Sequence, residues 1–339
     1  MTLATNNGDI GGGEVMLLNI AQALRDEGIE TTVVGPSSPS ALVEASRARG
    51  FQTVELKATS RLTWMWALRR WDARYRTGIL WANGLLPSVA TLGHRNRIVH
   101  LHQEPHGLLK LLEKPARAGA LSTLVPSESM QRAIRGSRVF SNWVSKVERA
   151  ARPSRDAQPT VVGFLGRPSL DKGVDVLAAA LEILEAGHPG EFRLLLAGEH
   201  RFVTQEQQRA VEAALHSIEH LTDRPGWMTP AEFFSNVDIF VCPSVWPESF
   251  GLVVAEAMSA RVPVIVSDAG ALPELVGQQT HNVVASGDAA ALAAKILSSR
   301  ESPDPKNVDL LFQRWENLYS PKCGRKSIVE LLAEVQIRS

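Results

Sequence analysis

The chain has 339 residues, of which 44% are apolar and 21% are charged, so its composition is that of a folded protein rather than a disordered one. This length is enough for two domains of ordinary size. No run of 18 apolar residues occurs, and the N-terminus lacks the basic and apolar regions of a signal peptide, so we expect a cytoplasmic protein without a spanning helix. The two cysteines, Cys242 and Cys323, are far apart, which excludes a disulfide scaffold.

The net charge is zero, but the charge is unevenly distributed. Residues 1–150 carry 19 Lys and Arg against 12 Asp and Glu, a net charge of +7, and the remainder carries −7. A basic half and an acidic half suggest different partners for the two halves. The alternative is an uneven surface charge without a function.

The first half alternates helical and strand-like segments. Met1 to Thr5 reads as a short strand, and Gly13 to Gly28 reads as a helix with apolar residues at helical spacing. Further short β-branched runs predict strands at Thr31–Val34, Gln52–Leu56, Ile79–Ala82, Ile98–His102 and Ser122–Val125. This order is typical of a parallel, doubly wound sheet.

A second alternating series follows residues 151–159, which are polar, contain prolines and predict a linker. The predicted strands of this half are Val161–Gly166, Phe192–Ala197, Ile239–Cys242 and Val262–Ser267. The predicted helices are Val174–Glu185, Gln205–Ile218, Leu252–Ala260 and Ala289–Ser298. Two Rossmann-like domains are therefore expected, one in each half.

Two carboxylates, Glu248 and Glu256, flank the small and apolar run SFGLVVA. This pattern reads as a loop feeding the N-terminus of a helix, where unpaired N–H groups and the positive dipole end suit a phosphate. Gly251 lets a ligand approach the backbone closely. At this spacing alone, two solvated carboxylates near a helix start would be the ordinary interpretation.

The stretch from Pro243 to Glu274, PSVWPESFGLVVAEAMSARVPVIVSDAGALPE, resembles the Glu-x7-Glu region of the retaining glycosyltransferases of family 4. The resemblance covers most of the chain and is strongest over about residues 160–290. It implies the GT-B fold, which is an α/β fold of two Rossmann-like domains facing across a cleft. It also implies that Glu248 lies beside the donor sugar as a catalytic residue and that Glu256 holds the nucleotide ribose. The backbone amides that would meet the sugar and diphosphate belong to Phe250, Gly251, Leu252 and Val253.

The loop GRPSLDKG follows the first predicted strand of the second half and carries Arg167 and Lys172. An Arg and a Lys on such a loop can clamp a diphosphate, although cations on loops are usually just solvated. The loop resembles the family's Gly-Arg-…-Lys-Gly motif, which implies that both cations bind the donor diphosphate and replace a metal ion. Gly198, at the end of the next strand, falls where the family lets the nucleobase approach.

In the first half, Gly11, Gly12 and Gly13 precede a helix N-terminus, which suits an anion, although a flexible turn is the simpler interpretation. The segment resembles a family element that meets the donor diphosphate and the acceptor, and this implies donor-binding roles for Gly12 and Gly13. The short first strand and the polar residues after it depart from the family pattern and leave the register of the loop open.

Three histidines lie in the run RIVHLHQEPH, at positions 100, 102 and 106. Their spacing matches no standard zinc pattern, so we expect no metal site. The family has a histidine beside the sugar at the end of this strand, which implies a catalytic role for His102, with His100 as the alternative. Asn83 is a further candidate on the acceptor side.

Residues 61–76, RLTWMWALRRWDARYR, form a predicted helix with Trp64, Leu68, Trp71 and Tyr75 on one stripe and arginines beside it. This composition favours either peripheral contact with an anionic membrane or a core-facing helix with a charged outer side. No nucleic-acid-binding module is recognisable, so nucleic acid is not an expected partner.

These observations predict a first domain of residues 1–155, a second domain of residues 156–321, and a C-terminal helix, about 322–339, that packs back on the first domain. We expect a cytoplasmic enzyme, which would be peripheral at the inner face of the membrane if residues 61–76 contact lipid. It would transfer a hexose from a nucleotide diphosphate-sugar to a glycan, lipid or small-molecule acceptor, without a cofactor, in cell-envelope or polysaccharide synthesis. The alternatives are a sugar-nucleotide epimerase and a catalytically silent subunit that binds nucleotide-sugar.

Overall fold

The computed structural model describes residues 1–150, 159–199, 204–277 and 281–338, and describes the side chains up to residue 335. The chain divides into two compact units. Unit 1 comprises Met1–Trp143 and Pro321–Ser339, and unit 2 comprises Val144–Ser320.

Unit 1 is built on a parallel sheet with the strand order β3-β2-β1-β4-β5-β6-β7. Its strands are β1 (Thr2–Ala4), β2 (Thr32–Pro36), β3 (Gln52–Leu56), β4 (Leu80–Asn83), β5 (Arg97–His100), β6 (Ser122–Val125) and β7 (Arg138–Val139). The helices between them are α1 (Gly12–Asp26), α2 (Ala41–Ala48), α3 (Arg61–Tyr75), α4 (Leu85–Ala90), α5 (Lys110–Arg117) and α6 (Glu128–Ala133). A 3₁₀ turn, Gly107–Leu109, precedes α5.

Unit 2 repeats this plan, and its described residues form a parallel sheet in the order β10-β9-β8-β11-β12-β13. Its strands are β8 (Thr160–Leu165), β9 (Phe192–Ala197), β10 (Thr222–Gly226), β11 (Ile239–Cys242), β12 (Val264–Ser267) and β13 (Val283–Val284). Its helices are α7 (Val174–Gly187), α8 (Gln205–Leu215), α9 (Pro230–Phe234), α10 (Leu252–Ser259), α11 (Leu272–Val276), α12 (Ala289–Glu301) and α13 (Pro305–Leu318). Two 3₁₀ turns, Leu170–Lys172 and His216–Leu221, complete it. The predicted pair of Rossmann-like domains is confirmed.

The last helix, α14 (Pro321–Arg338), belongs to unit 1. Its buried residues Ile328, Leu331 and Val335 share one hydrophobic cluster with the buried face of α1. Gly324 lies directly against the indole of Trp143, where an added Cβ would come within 2.2 Å of the ring. Because no larger side chain fits there, this glycine sets how closely α14 approaches the segment before unit 2.

The boundary between the units lies at residues 143 and 144, earlier than the predicted 155 and 156. The segment that starts at Val144 is bonded into unit 2: its N–H donates to the carbonyl of Tyr319 at 3.0 Å, and the Trp315 indole donates to its carbonyl at 3.3 Å. The Val147 N–H donates to the hydroxyl of Ser259 at 3.0 Å. The predicted linker at 151–159 lies outside the described residues except for Pro159.

The sheet of unit 1 is covered on both faces, because alternate residues of a strand point to opposite sides. One face packs against α1 and α14 through Leu3, Val33, Trp81, Ile98 and Leu124. The other face packs against α3, α4 and α6 through Ala4, Val34, Leu80, Ala82, Val99, Leu101 and Val125, and α5 packs against α4. Each helix of this layer, α3 to α6, follows a parallel strand, so each begins at the carboxyl edge of the sheet.

Helix α3 does not present the predicted stripe to solvent. It begins at the N-cap Ser60, whose hydroxyl accepts from the Thr63 N–H, and it buries Trp64 and Leu68 against β1 and β4. Trp71 is half-buried, and Tyr75 alone of the four predicted residues is exposed. For Trp64 and Leu68 the core-facing interpretation is therefore the correct one. Among the described residues, no helix is long and apolar enough to cross a membrane.

Candidate functional site

The loop before α1 is held in place by a buried carboxylate. Glu14 accepts from the Thr5 hydroxyl at 3.2 Å, the Asn7 amide at 3.0 Å and the Gly11 N–H at 3.2 Å. Burial raises the pKa of Glu14 even though these bonds favour its charged form. The structural role of Glu14 could have been suspected from the sequence, because Glu at the third helical position is the partner in a capping box.

His102 and Asn83 meet at the N-terminus of α1. Strand β5 ends at His100 rather than at the predicted His102, so His102 lies on the loop beyond the strand. The Asn83 amide nitrogen donates to the Gly13 carbonyl at 3.2 Å, and its oxygen lies 2.7 Å from His102 Nε2. Since that oxygen can only accept, Nε2 carries the proton. An added Cβ at Gly13 would meet the His102 ring at 3.4 Å, whereas Gly12 is exposed.

The two imidazoles of this loop lie against each other, with ring centroids 4.0 Å apart. The Trp81 indole N–H donates to His100 Nδ1 at 3.3 Å, so the buried His100 Nε2 carries a proton. Within the described residues, this Nε2 and His102 Nδ1 have no hydrogen-bond partner. Burial lowers the pKa of His102 to about 4 and that of His100 well below its ordinary value. Both rings are therefore neutral at neutral pH, and neither can act there as a cation.

In unit 2, the predicted cation Lys172 and carboxylate Glu248 meet across two loops. Lys172 Nζ lies 2.5 Å from Glu248 Oε1, which also accepts from the Ser244 hydroxyl at 2.6 Å. The N–H groups of Val245 and Trp246 both donate to the Asp171 carbonyl at 3.0 Å. These bonds join the loop after β8 to the loop after β11, at the carboxyl edge of the sheet where ligands of doubly wound sheets bind.

Ser244 was not among the predicted site residues, yet it holds together the loops at this edge of the sheet. Its side chain is buried, and its carbonyl accepts from the Ser267 hydroxyl at 2.5 Å and the Ser286 hydroxyl at 3.3 Å. The end of β12 and the loop that follows β13 are thus bonded to one carbonyl in the loop that follows β11. Small polar residues directly after buried strands were the available signal.

Arg167 lies on the same loop as Lys172 and is half-buried. Within the described ranges, its guanidinium makes no hydrogen bond or ion pair, in contrast to Lys172. A half-buried guanidinium without a protein partner is a suitable group for an anionic ligand.

Helix α10 carries the remaining predicted residues of this site. Gly251 is its N-cap, with φ of +105°, and an added Cβ there would meet Leu272 at 2.9 Å. Leu252 and Val253 form the half-buried first turn, whose N–H groups have no acceptor within the helix. The Phe250 side chain is buried against Tyr319, with ring centroids 5.4 Å apart, so only its backbone can serve a ligand.

Glu256 lies in the second turn of α10, and part of its side chain remains accessible. Its carboxylate has no hydrogen-bond or ion-pair partner among the residues that the structure describes. Burial raises its pKa from the ordinary 4.5 to about 7. A buried carboxylate without a partner is costly to ionise, so a ligand that donates hydrogen bonds to it would relieve that cost.

Gly198 has a packing role that the sequence did not indicate. Its φ is +142°, and an added Cβ would lie 2.0 Å from the carbonyl oxygen of Gly166, which ends the neighbouring strand. Its N–H donates to the Gly226 carbonyl at 2.8 Å. The residue thus keeps the ends of β8, β9 and β10 in contact, whether or not a nucleobase approaches it.

We expect Gly198→Ala to lower the free energy of unfolding by about 2 kcal/mol or more, because the new Cβ meets a backbone oxygen and an unfavourable φ together. Urea denaturation of the purified variant measures this change. Gly187→Ala is the matched control, because nothing lies within 4 Å of a Cβ added there. A Gly198→Ala protein as stable as the control variant would contradict the packing argument.

The predicted residues divide between the two units. Gly12, Gly13, Asn83 and His102 lie in unit 1, and Arg167, Lys172, Gly198, Glu248, Glu256 and Phe250 to Val253 lie in unit 2. No group of three or more His, Cys, Asp or Glu suited to a metal ion occurs in residues 1–150, 159–199, 204–277 and 281–338.

Two family models match the chain, one to each half. The model described as Glycosyltransferase Family 4 matches residues 10–146, and the model described as Glycosyl transferases group 1 matches residues 159–301. Their limits fall close to the division between the two units.

Similar proteins include a glycogen synthase from Mycobacterium tuberculosis, 35% identical over 158 residues, which are 45% of this chain and 37% of that protein. The match to the phosphatidyl-myo-inositol mannosyltransferase of Mycolicibacterium smegmatis is longer, with 28% identity over 83% of this chain and 77% of that protein. The chain therefore aligns with little more than a third of the glycogen synthase but with most of the mannosyltransferase.

Among solved structures, Anabaena HepE in complex with UDP and glucose superposes with a TM-score of 0.85 over 98% of both chains, at 21% identity. This likeness establishes the fold. The two family models, which between them match most of the chain, show that it belongs to the family 4, group 1 glycosyltransferases, whose GT-B fold this likeness supports.

Proposed function

We propose that the protein is a retaining glycosyltransferase that moves a sugar from a nucleotide diphosphate-sugar to an acceptor hydroxyl. The observation that carries the proposal is the arrangement in unit 2 of Lys172, Glu248, the first turn of α10 and the partnerless carboxylate of Glu256. A nucleotide-sugar donor presents a diphosphate, a sugar and a ribose. This edge of the sheet offers cations and backbone N–H groups for the diphosphate, and two carboxylates for the hydroxyls of the sugar and the ribose.

In this proposal Arg167 and Lys172 neutralise the diphosphate as the bond from the anomeric carbon to the phosphate oxygen breaks. The leaving group takes the electron pair of that bond, and fixed cations stabilise the developing charge without reorganisation. The N–H groups of Leu252 and Val253 add the positive end of the α10 dipole. Because these groups supply the charge, the proposal requires no metal ion.

The two carboxylates have separate roles in the proposal. Glu248 Oε1 accepts from Lys172 and Ser244, and the carboxylate is assigned to accept further hydrogen bonds from the sugar hydroxyls. Glu256 is assigned to the ribose hydroxyls, whose donation would favour its ionised form. In unit 1, neutral His102, locked by Asn83, is assigned to the transferred sugar.

The acceptor is proposed from the relatives. The names of the glycogen synthase and of the phosphatidyl-myo-inositol mannosyltransferase identify a glycan and a lipid product, respectively. The solved complex of HepE contains UDP and glucose. We therefore assign this chain a nucleoside diphosphate-hexose donor and a glycan or lipid-linked hydroxyl acceptor.

The test is a screen of UDP-, GDP-, ADP- and dTDP-hexoses with EDTA present. We expect one donor to release its nucleoside diphosphate slowly to water, and the corresponding diphosphate to stabilise the protein by about 2.7 kcal/mol at 100 times its Kd. NMR of the released sugar should show the anomeric configuration of the donor.

Other outcomes would contradict the proposal. Conversion of the donor to an epimer would identify a sugar-nucleotide epimerase, and binding without release of any diphosphate, with or without acceptor glycans, would identify a silent subunit. Activity that EDTA abolishes and magnesium restores would show that Arg167 and Lys172 do not suffice.

A further inference from the structure

Exposed apolar side chains of unit 1 concentrate on one layer. Within the five residues 108–112, four leucines are exposed, and Leu108 and Leu111 expose 84% and 73% of their surface. Leu62 and Trp66 on α3 expose 70% and 73%. Single exposed apolar residues are common, but clusters of this kind mark interaction surfaces. We name the outer side of α3 together with residues 107–114 the α3–α5 face.

The two parts of the α3–α5 face lie at the same edge of the same layer. Helix α3 follows β3 and helix α5 follows β5, and both strands are parallel, so both helices begin at the carboxyl edge of the sheet. Helix α4 packs against both of them. Leu62 and Trp66 are in the first two turns of α3, and the leucines lie in the 3₁₀ turn before α5 and in the first turn of α5. The exposed apolar groups therefore share one edge.

The positive charge of the first half is confined to this layer. Residues 57–117 contain eleven Lys and Arg against three Asp and Glu, a net charge of +8, whereas the rest of residues 1–150 carries −1. Some of these cations are structural: the Arg69 guanidinium donates to the carbonyls of Ala90 and Leu92, and the buried Arg97 donates to those of Ser88, Ala116 and Ala118. Others are exposed on the face, namely Arg61, Arg70, Arg74, Lys110 and Lys114.

We propose that the α3–α5 face binds an anionic membrane surface. Leucine and tryptophan side chains enter the boundary between headgroups and acyl chains, while Arg and Lys on long stems reach the lipid phosphates. A second copy of the chain is a poorer occupant, because an isologous contact would bring two faces of the same positive charge together. This surface goes beyond the proposed transfer reaction, and it involves none of the residues assigned to the donor.

The experiment is co-sedimentation of the full chain with vesicles of phosphatidylcholine that contain about one-third phosphatidylglycerol, at low ionic strength and without donor or acceptor. We expect binding that neutral vesicles do not support and that falls at high salt, because exposed charges are screened within about 10 Å at 0.1 M. Because no turnover is measured, this result stands or fails separately from donor cleavage, which is measured without vesicles.

Two variants test the electrostatic and the apolar contributions to vesicle binding separately. Arg61→Gln/Arg70→Gln/Arg74→Gln should lower the partition coefficient about 10²-fold, since each basic residue near the surface contributes about a fivefold factor. Leu108→Gln/Leu111→Gln should lower it about tenfold or more, because apolar insertion is lost. These side chains are exposed, so the variants should unfold at the temperature of the wild type, which a thermal melt checks.

Matched controls lie outside the face. Lys306→Gln/Lys322→Gln/Lys326→Gln removes the same charge from exposed positions, and Leu310→Gln replaces a leucine on α13 that exposes 63% of its surface. Both controls should bind vesicles as the wild type does.

The proposal is overturned if the wild type stays in the supernatant at low salt, or if the control variants lose as much binding as the face variants. It is also overturned if light scattering shows a dimer that Leu108→Gln/Leu111→Gln dissociates while anionic vesicles bind neither form. In that case a second copy covers the face.

Discussion

Arg167→Ala and Lys172→Ala are each expected to lower kcat/KM for the donor by roughly 10²-fold or more. In the proposed mechanism each substitution removes a charge-assisted contact to the leaving diphosphate, and such contacts contribute a few kcal/mol in a site that excludes water. Lys172→Ala should have a second effect, because it also removes the cation that lies 2.5 Å from Glu248. Its loss in kcat should therefore exceed that of Arg167→Ala.

Steady-state kinetics with the donor identified by the screen would measure both losses. Lys306→Ala is the matched control, since this exposed lysine lies in the same unit but at the start of α13. Lys172→Arg keeps the positive charge but not the compact ammonium group, so we expect it to retain part of the kcat/KM that Lys172→Ala loses. Transfer at the wild-type rate by either alanine variant would show that the cation has no part in leaving-group stabilisation.

The two Rossmann-like domains, and the edge of the sheet at which two of the candidate loops meet, could be predicted from local patterns in the sequence. Short β-branched strands alternating with amphipathic helices require a parallel sheet, and the carboxyl edge of such a sheet is where the loops of Arg167 and Glu248 must meet. The N-terminus of α10 was also predictable, because Gly251 precedes a helical run and follows a loop. These inferences depend on residues near one another in sequence, where periodicity carries information.

What the sequence did not indicate depends on contacts between distant segments. Val144 joins unit 2 through the hydrogen bond from its N–H to the Tyr319 carbonyl, and no sequence pattern around residue 144 predicts that bond. His100 and His102 were expected on one strand, yet the strand ends at His100, and the Asn83 side chain fixes the ring of His102 on the loop. On α3, helical spacing identified an apolar stripe but not which of its residues the sheet would cover, and the exposed Trp66 lies outside that stripe.

Glu256 combines a cost to stability with a proposed role in binding. Its pKa of about 7 in the folded protein exceeds the ordinary 4.5, so this carboxyl favours folding fully only below pH 4.5. That contribution is lost progressively as the pH rises to 7, and above pH 7 the folded protein carries the whole cost of a buried, partnerless charge. The difference corresponds to at most about 3 kcal/mol.

Glu256→Gln should therefore raise the free energy of unfolding of the ligand-free protein at pH 8, by up to about 3 kcal/mol, and change it little at pH 4.5. Urea denaturation at both pH values measures this effect. Glu301→Gln, at the exposed end of α12, is the control and should change stability at neither pH. Equal stability of Glu256→Gln and wild type at pH 8 would contradict the buried, partnerless carboxylate.

The same substitution should weaken nucleoside diphosphate binding by about 10- to 100-fold at pH 8, because hydrogen bonds to a charged carboxylate contribute about 1.5–3 kcal/mol. In the wild type, affinity should fall as the pH drops below 7, since the carboxyl must first lose its proton. Titration calorimetry at pH 6, 7 and 8 measures this fall in affinity. Protonation of the diphosphate also changes the affinity, but that part of the pH dependence persists in Glu256→Gln, so the comparison of the two proteins isolates the effect of Glu256.

Glu248→Gln should instead lower turnover and leave nucleotide affinity near that of the wild type. If both variants weakened nucleotide binding equally, the ribose would not be the partner of Glu256 alone, and the separate roles of the two carboxylates would have to be abandoned.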